Sequence, residues 1–199
     1  MLQWMNRRRL AVAGTAALVV AAGALAGNAT TASADRGHVR AKVAKATLHN
    51  ADGARVGRVT MKQKRGKVVV KVNARRLTPG FHGFHIHVVG RCDPNAAGGP
   101  FTTAGGHYTG GQPNHGDHAG DMPSLLVTDN GRAQMTFVTD RFRLKDLRDA
   151  DGSAVMVHAG RDNFANIPDR YSAAGKPGPD ATTLSTGDAG ARAACGVVR

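Results

Sequence analysis

From Val43 onward the 199-residue chain is a succession of short apolar runs cut by tight-turn dipeptides, and that punctuation points to an all-β fold. Residues 43–48 precede Asn50-Ala51-Asp52-Gly53, and residues 125–128 are parted from 133–138 by Asp129-Asn130-Gly131. Asp-Gly and Asn-Gly supply the positive φ values that tight hairpins need. Val68, Val70 and Val72 alternate with Val69, Lys71 and Asn73, the period of two of a sheet with one buried face. Further strands are expected over 55–62, 84–88, 154–157 and 196–198. The total comes near eight, an antiparallel sandwich or barrel. Segments 89–124 and 159–194 break this rhythm. Both are rich in Gly and Pro and lack strand periodicity, and long loops of that kind inside a domain usually serve function.

The first 34 residues read as something other than fold. Arg7, Arg8 and Arg9 precede an uncharged run of Ala, Val and Leu over 10–26, and Ala32-Ser33-Ala34 has the small-x-small pattern of a cleavage site. The organisation expected is a cleavable export signal over 1–34, a flexible mature N-terminus over 35–42 and one domain over 43–199. Arg7-Arg8-x-Leu10 is also similar to a twin-arginine signal, so both export routes stay open. With the signal removed no span remains, and the protein is expected outside the cell or in its envelope. Loss of the three arginines takes the formal charge from +13 to +10. That balance favours anionic partners. The Lys and Arg residues are scattered along the chain without interleaved aromatics, so dedicated nucleic-acid binding is not expected.

Nine histidines carry the functional signal. His85 and His87 flank Ile86, and on a strand residues i and i+2 share a face. His107, His115 and His118 follow in the first long loop, Asp121 stands three residues beyond His118, and His158 ends a later strand. Imidazoles with a carboxylate and no thiolate suit zinc, copper or nickel. His38 and His49 have no such context and read as surface residues. No His-Glu-x-x-His pair and no Gly-x-Ser-x-Gly elbow occurs, which removes the zinc-peptidase and serine-esterase classes.

Gly83-Phe84-His85-Ile86-His87, Gly105-Gly106-His107-Tyr108, His118-Ala119-Gly120-Asp121, Val157-His158 and the run from Gly190 through Arg192 and Cys195 to Val197 together resemble the copper–zinc superoxide dismutase family. The resemblance runs from about Val43 to Val198. It implies an eight-stranded antiparallel Greek-key β-barrel with two long functional loops, and conversion of superoxide to oxygen and hydrogen peroxide by copper redox cycling with a structural zinc ion. It implies His85, His87, His107 and His158 as copper ligands, and His107, His115, His118 and Asp121 as zinc ligands, with His107 bridging the metals and catalytic. Arg192 would attract and orient the anionic substrate. Asp162 would link a copper ligand to a zinc ligand, His82 would be structural, and Cys92 and Cys195 would form a disulfide between the first long loop and the last strand. One departure stands out: only Gly116 and Asp117 separate His115 from His118, where the family has several more residues. Either a tight turn at Gly116 aims both imidazoles at one zinc, or Asp117 replaces one of them. A copper-only dismutase and a non-enzymatic copper- and zinc-binding protein on the same fold are the alternatives. Monomer and homodimer both remain open.

Overall fold

A computed structural model describes residues 42–199; the expected signal, segment 35–41 and His38 lie outside the described residues. β1 (Lys42–His49), β2 (Arg55–Lys64) and β3 (Lys67–Arg75) form an antiparallel meander. Its first turn is closed by Asn50, whose Oδ1 accepts from the Ala54 amide at 2.8 Å. β4 (Gly80–His82) and β5 (Phe84–His87) follow, then β6 (Leu125–Val127), β7 (Arg132–Thr139), β8 (Ala154–His158), β9 (Ser172–Ala173), β10 (Lys176–Pro177), α1 (Ala181–Thr186) and β11 (Arg192–Val197). The main sheet runs β5-β8-β11-β1-β2-β3-β7, while β4 pairs with β6 and β9 with β10.

β4 and β5 are two halves of one run broken at Gly83. A side chain there would put its Cβ 2.5 Å from that of Ala189, so only glycine lets the run pass. Through this run the β4–β6 pair joins the β5 edge of the sheet, and the β6–β7 turn joins the other edge. Counted this way, eight strands wrap one core with Greek-key crossings, because β3 pairs with β7 and β5 with β8. The core is the inward row of each strand: Leu48, Val59, Met61, Val70, Phe84, Ile86 and Val157 are fully buried. Each such side chain contributes roughly 1.5–3 kcal/mol by leaving water.

Four expectations change. The Asp129-Asn130-Gly131 turn forms, with the Gly131 amide donating to Thr128 at 2.8 Å, but its flanking strands share no ladder: β6 pairs with β4 and β7 with β3. The last strand begins at Arg192, not Gly196, and the first at Lys42, not Val43. β11 is covered on both faces, so its small residues show no alternation to read. Segment 159–194 also holds structure of its own. Asp180 caps α1 by accepting from the Thr183 amide at 2.8 Å, and Gly187 ends it at φ 62°.

Candidate metal centre

β5 carries His85 and His87, and β8 lies against it with Phe84 opposite Val157, which brings His158 to the same end. Backbone bridges pair His85 with Asp121 and His87 with His107, so the first long loop lies along β5. Six histidines are thereby buried together: His85, His87, His107, His115, His118 and His158. Donor atoms of His85, His87, His107 and His158 all lie within 4.8 Å of one another, and the same holds for His85, His107, His115 and Asp121. His85 and His107 belong to both groups. His118 stands at the edge of the second, its ring 5.6 Å from that of His115 and 5.8 Å from that of His107.

One nitrogen of most rings is tied to the protein, which leaves the other aimed inward. His87 Nδ1 donates to Gly105 O at 2.9 Å and His158 Nδ1 to Gly190 O at 3.0 Å. Their Nε2 atoms then carry bare lone pairs and face each other at 3.4 Å. Asp162 accepts from His85 Nε2 at 2.6 Å with one oxygen and from His115 Nε2 at 2.8 Å with the other. His85 Nδ1 is left buried with no partner. Asp121 Oδ2 accepts from the Gly116 and His118 amides at 2.7 and 3.0 Å. Its Oδ1 lies 3.1 Å from His115 Nδ1 and 3.4 Å from His107 Nδ1, without the alignment of a hydrogen bond. His118 Nδ1 is buried and unpartnered as well.

Orphaned buried acceptors are costly, and lone pairs that converge are costlier. A cation relieves both, so this donor set fits copper and zinc, with outer partners that fix four of the six imidazoles as metal sites require. Burial lowers the pKa of His85, His118 and His87, the last well below its usual value, and pulls His158 down to about 3, so these rings stay neutral and able to ligate. His115 behaves oppositely. Burial pulls it down, but the Asp121 and Asp162 carboxylates outweigh this and raise it to about 9.

The short His115–His118 turn is held from outside. Gly116 takes φ 91°, and a Cβ there would meet the Phe164 carbonyl at 2.7 Å. Phe164 stacks on the His115 ring at 6.1 Å. Arg141 donates to the carbonyls of Gly116 and His118 at 2.9 and 3.2 Å. Asp117 points to solvent, outside both donor groups. His82 faces the carbonyls of His158 and Thr78, 2.7 Å from each, and takes no place among the donors. His49 is exposed.

Arg192 donates to Phe101 O and Gly105 O at 2.6 Å each. Gly105 O is also the acceptor for His87, so guanidinium and imidazole are positioned by one carbonyl. Cys92 and Cys195 are joined in a disulfide that ties the loop bearing Phe101 and Gly105 to β11. His87, His107, His158 and Arg192 line a cavity of about 330 Å³, and α1 supplies Thr182 and Ser185 to its wall. Sequence reasoning missed α1, Gly187, Phe164 and Arg141. The Asp180…Gly187 cap pair was a readable signal for the helix; the other contacts are tertiary.

Comparison with known proteins places the fold in a family. The family model for copper/zinc superoxide dismutase matches residues 55–198. The Cu-Zn superoxide dismutase of Mycobacterium tuberculosis is 47% identical, with 76% of this chain and 68% of that one covered. That of Brucella abortus is 37% identical, with 76% and 83% covered. The solved Brucella abortus Cu/Zn superoxide dismutase superposes with a TM-score of 0.60 at 31% identity, covering 79% of this chain and all of that one. A SOD-like protein from Bacillus subtilis superposes at 0.62 with 28% identity, over 77% and 96% of the two chains. The chain therefore belongs to the copper/zinc superoxide dismutase family.

Proposed function

We propose that this chain is an exported superoxide dismutase that carries copper and zinc. The observation that carries the reading is a buried cluster whose two donor groups share His85 and His107, with His85 Nε2 taken by Asp162 so that His107 is the ring left to serve both, beside a guanidinium on the wall of the same cavity. Copper would be held by His85, His87, His107 and His158, and zinc by His107, His115, His118 and Asp121. Bound copper supplies a one-electron redox change, and zinc a fixed charge with none.

The chain's own residues do the rest. Two superoxide anions and two protons become one dioxygen and one hydrogen peroxide, so the site must gather small anions and deliver protons. Arg192 keeps its charge although burial lowers its pKa, and its fork would orient a dioxygen anion in the cavity. A net positive chain adds a long-range field of the same sense, an effect already well known for this family. His107 lines the cavity, so a proton held on its Nε2 would be within reach of a reduced oxygen there. Asp162 would hold His85 and His115 in their ligating orientation. A disulfide in place and the expected signal over 1–34 support export. Among the described residues no helix is long and apolar enough to cross a membrane.

Protein loaded with copper and zinc should consume superoxide at a rate that falls as ionic strength rises. His158→Ala should abolish consumption without unfolding the barrel. Full occupancy by both metals with no superoxide consumed would contradict the proposal.

A further inference from the structure

The basic residues that lie scattered in the sequence meet on one face of the barrel. β1, β2, β3 and β7 contain no Asp or Glu, and Lys45, Arg58, Lys62, Lys71, Arg75 and Arg132 on them are all exposed. Register places Lys45, Thr60, Lys71 and Thr136 in one row across the four strands, and Thr47, Arg58, Asn73 and Gln134 in the next. Strands lie about 4.8 Å apart, so these rows make one polar surface on which Lys45, Arg58 and Lys71 are the only charged side chains. Arg75 stands directly opposite Arg132. Like charges so placed destabilise a sheet, and no carboxylate relieves them. Among the described residues the only Lys and Arg ion pairs are Arg91–Asp93 and Lys145–Asp146, neither on this face. At the same end Arg55, Arg58, Arg75 and Arg132 line a surface cavity of about 410 Å³ together with Asn73 and Gln134. Four arginines and two amide side chains around one cavity, with no acid in its lining, suit the recognition of phosphate.

We propose that this face docks a linear chain of linked phosphates, an inorganic polyphosphate, which carries neither bases nor lipid tails. The arginine-lined cavity takes one phosphate and the rows of lysine and arginine track its neighbours. No aromatic side chain is exposed on the four strands, so the face has neither a platform for stacking bases nor an aromatic anchor for a bilayer. A phosphate chain read through its backbone alone needs neither. None of the residues lining this cavity lines the one beside Arg192, so a docked polymer leaves the metal centre open to small anions.

The test is fluorescence anisotropy of end-labelled long-chain inorganic polyphosphate titrated with the full metal-loaded protein over a salt series. Arg75→Gln/Arg132→Gln should weaken binding about tenfold or more and flatten the slope of log K against log salt by about 1.4 to 1.8. Arg170→Gln/Lys176→Gln removes the same charge elsewhere and should stay within about twofold of the unaltered protein. Equal weakening by the two pairs would overturn the proposal. So would tighter binding, at equal phosphate, to anionic phospholipid vesicles or to single-stranded DNA.

Discussion

Cys92 and Cys195 are 103 residues apart in sequence and 5.7 Å apart at Cα. In the chain-entropy treatment, a cross-link closing a loop of that length restricts the unfolded chain enough to stabilise the fold by about 4.7 kcal/mol. A domain of this kind has about 5–15 kcal/mol in total, so loss of the bridge removes a large share. Cys195 is fully buried, so alanine is the right replacement; a serine would leave a hydroxyl without a partner. Urea unfolding of metal-free Cys92→Ala/Cys195→Ala, followed by circular dichroism, should give a stability lower by about 3–5 kcal/mol. The bridge also anchors the segment whose Phe101 and Gly105 carbonyls hold Arg192. With the metals restored, the variant should consume superoxide more slowly and lose part of its salt dependence, because Arg192 no longer has a fixed place by the cavity. A variant within about 1 kcal/mol of the parent, with the same salt dependence, would show that the bridge neither constrains the unfolded chain nor positions the arginine.

Gly187 sits over the Asp162–His115 hydrogen bond, and a Cβ there would collide with both Asp162 Oδ1 and His115 Nε2. Gly187→Ala should lower zinc affinity by about ten- to a hundredfold in competition with a chromophoric chelator, and an unchanged affinity would refute that role. Arg141→Gln removes the two donors that hold the His115–His118 turn; zinc should leave faster in excess chelator while copper retention stays the same. In metal-free protein His115 has its pKa raised to about 9, against about 6.5 when unfolded. A raised pKa stabilises fully below the unfolded value and loses that contribution as pH climbs to the folded one, so metal-free stability should fall between about pH 6.5 and 9. Zinc bound at His115 would displace that proton, so its uptake at neutral pH should release one, which calorimetry in buffers of different ionisation enthalpy will detect.

Much of the histidine clustering could be read before any coordinates. Two histidines spaced i, i+2 on a strand must share a face, and a sheet that pairs β5 with β8 must carry His158 to them. Which nitrogen of each ring is free was not legible, because that is set by carbonyls of distant residues: Gly105 for His87 and Gly190 for His158. The compact turn at Gly116 was visible as a short spacer, but Arg141 and Phe164, which brace it, come from 25 and 48 residues away in sequence. Helix α1 hid among small polar residues whose propensity is weak, and its cap alone betrays it. The basic face escaped notice because cross-strand register, which no local pattern encodes, brings its charges together.

The most direct test is anomalous diffraction at the copper and zinc absorption edges from crystals of the metal-loaded protein. Two peaks are expected: copper among His85, His87, His107 and His158, and zinc among His107, His115, His118 and Asp121, with His107 between them. A single peak, or two peaks that do not share His107, would contradict the account.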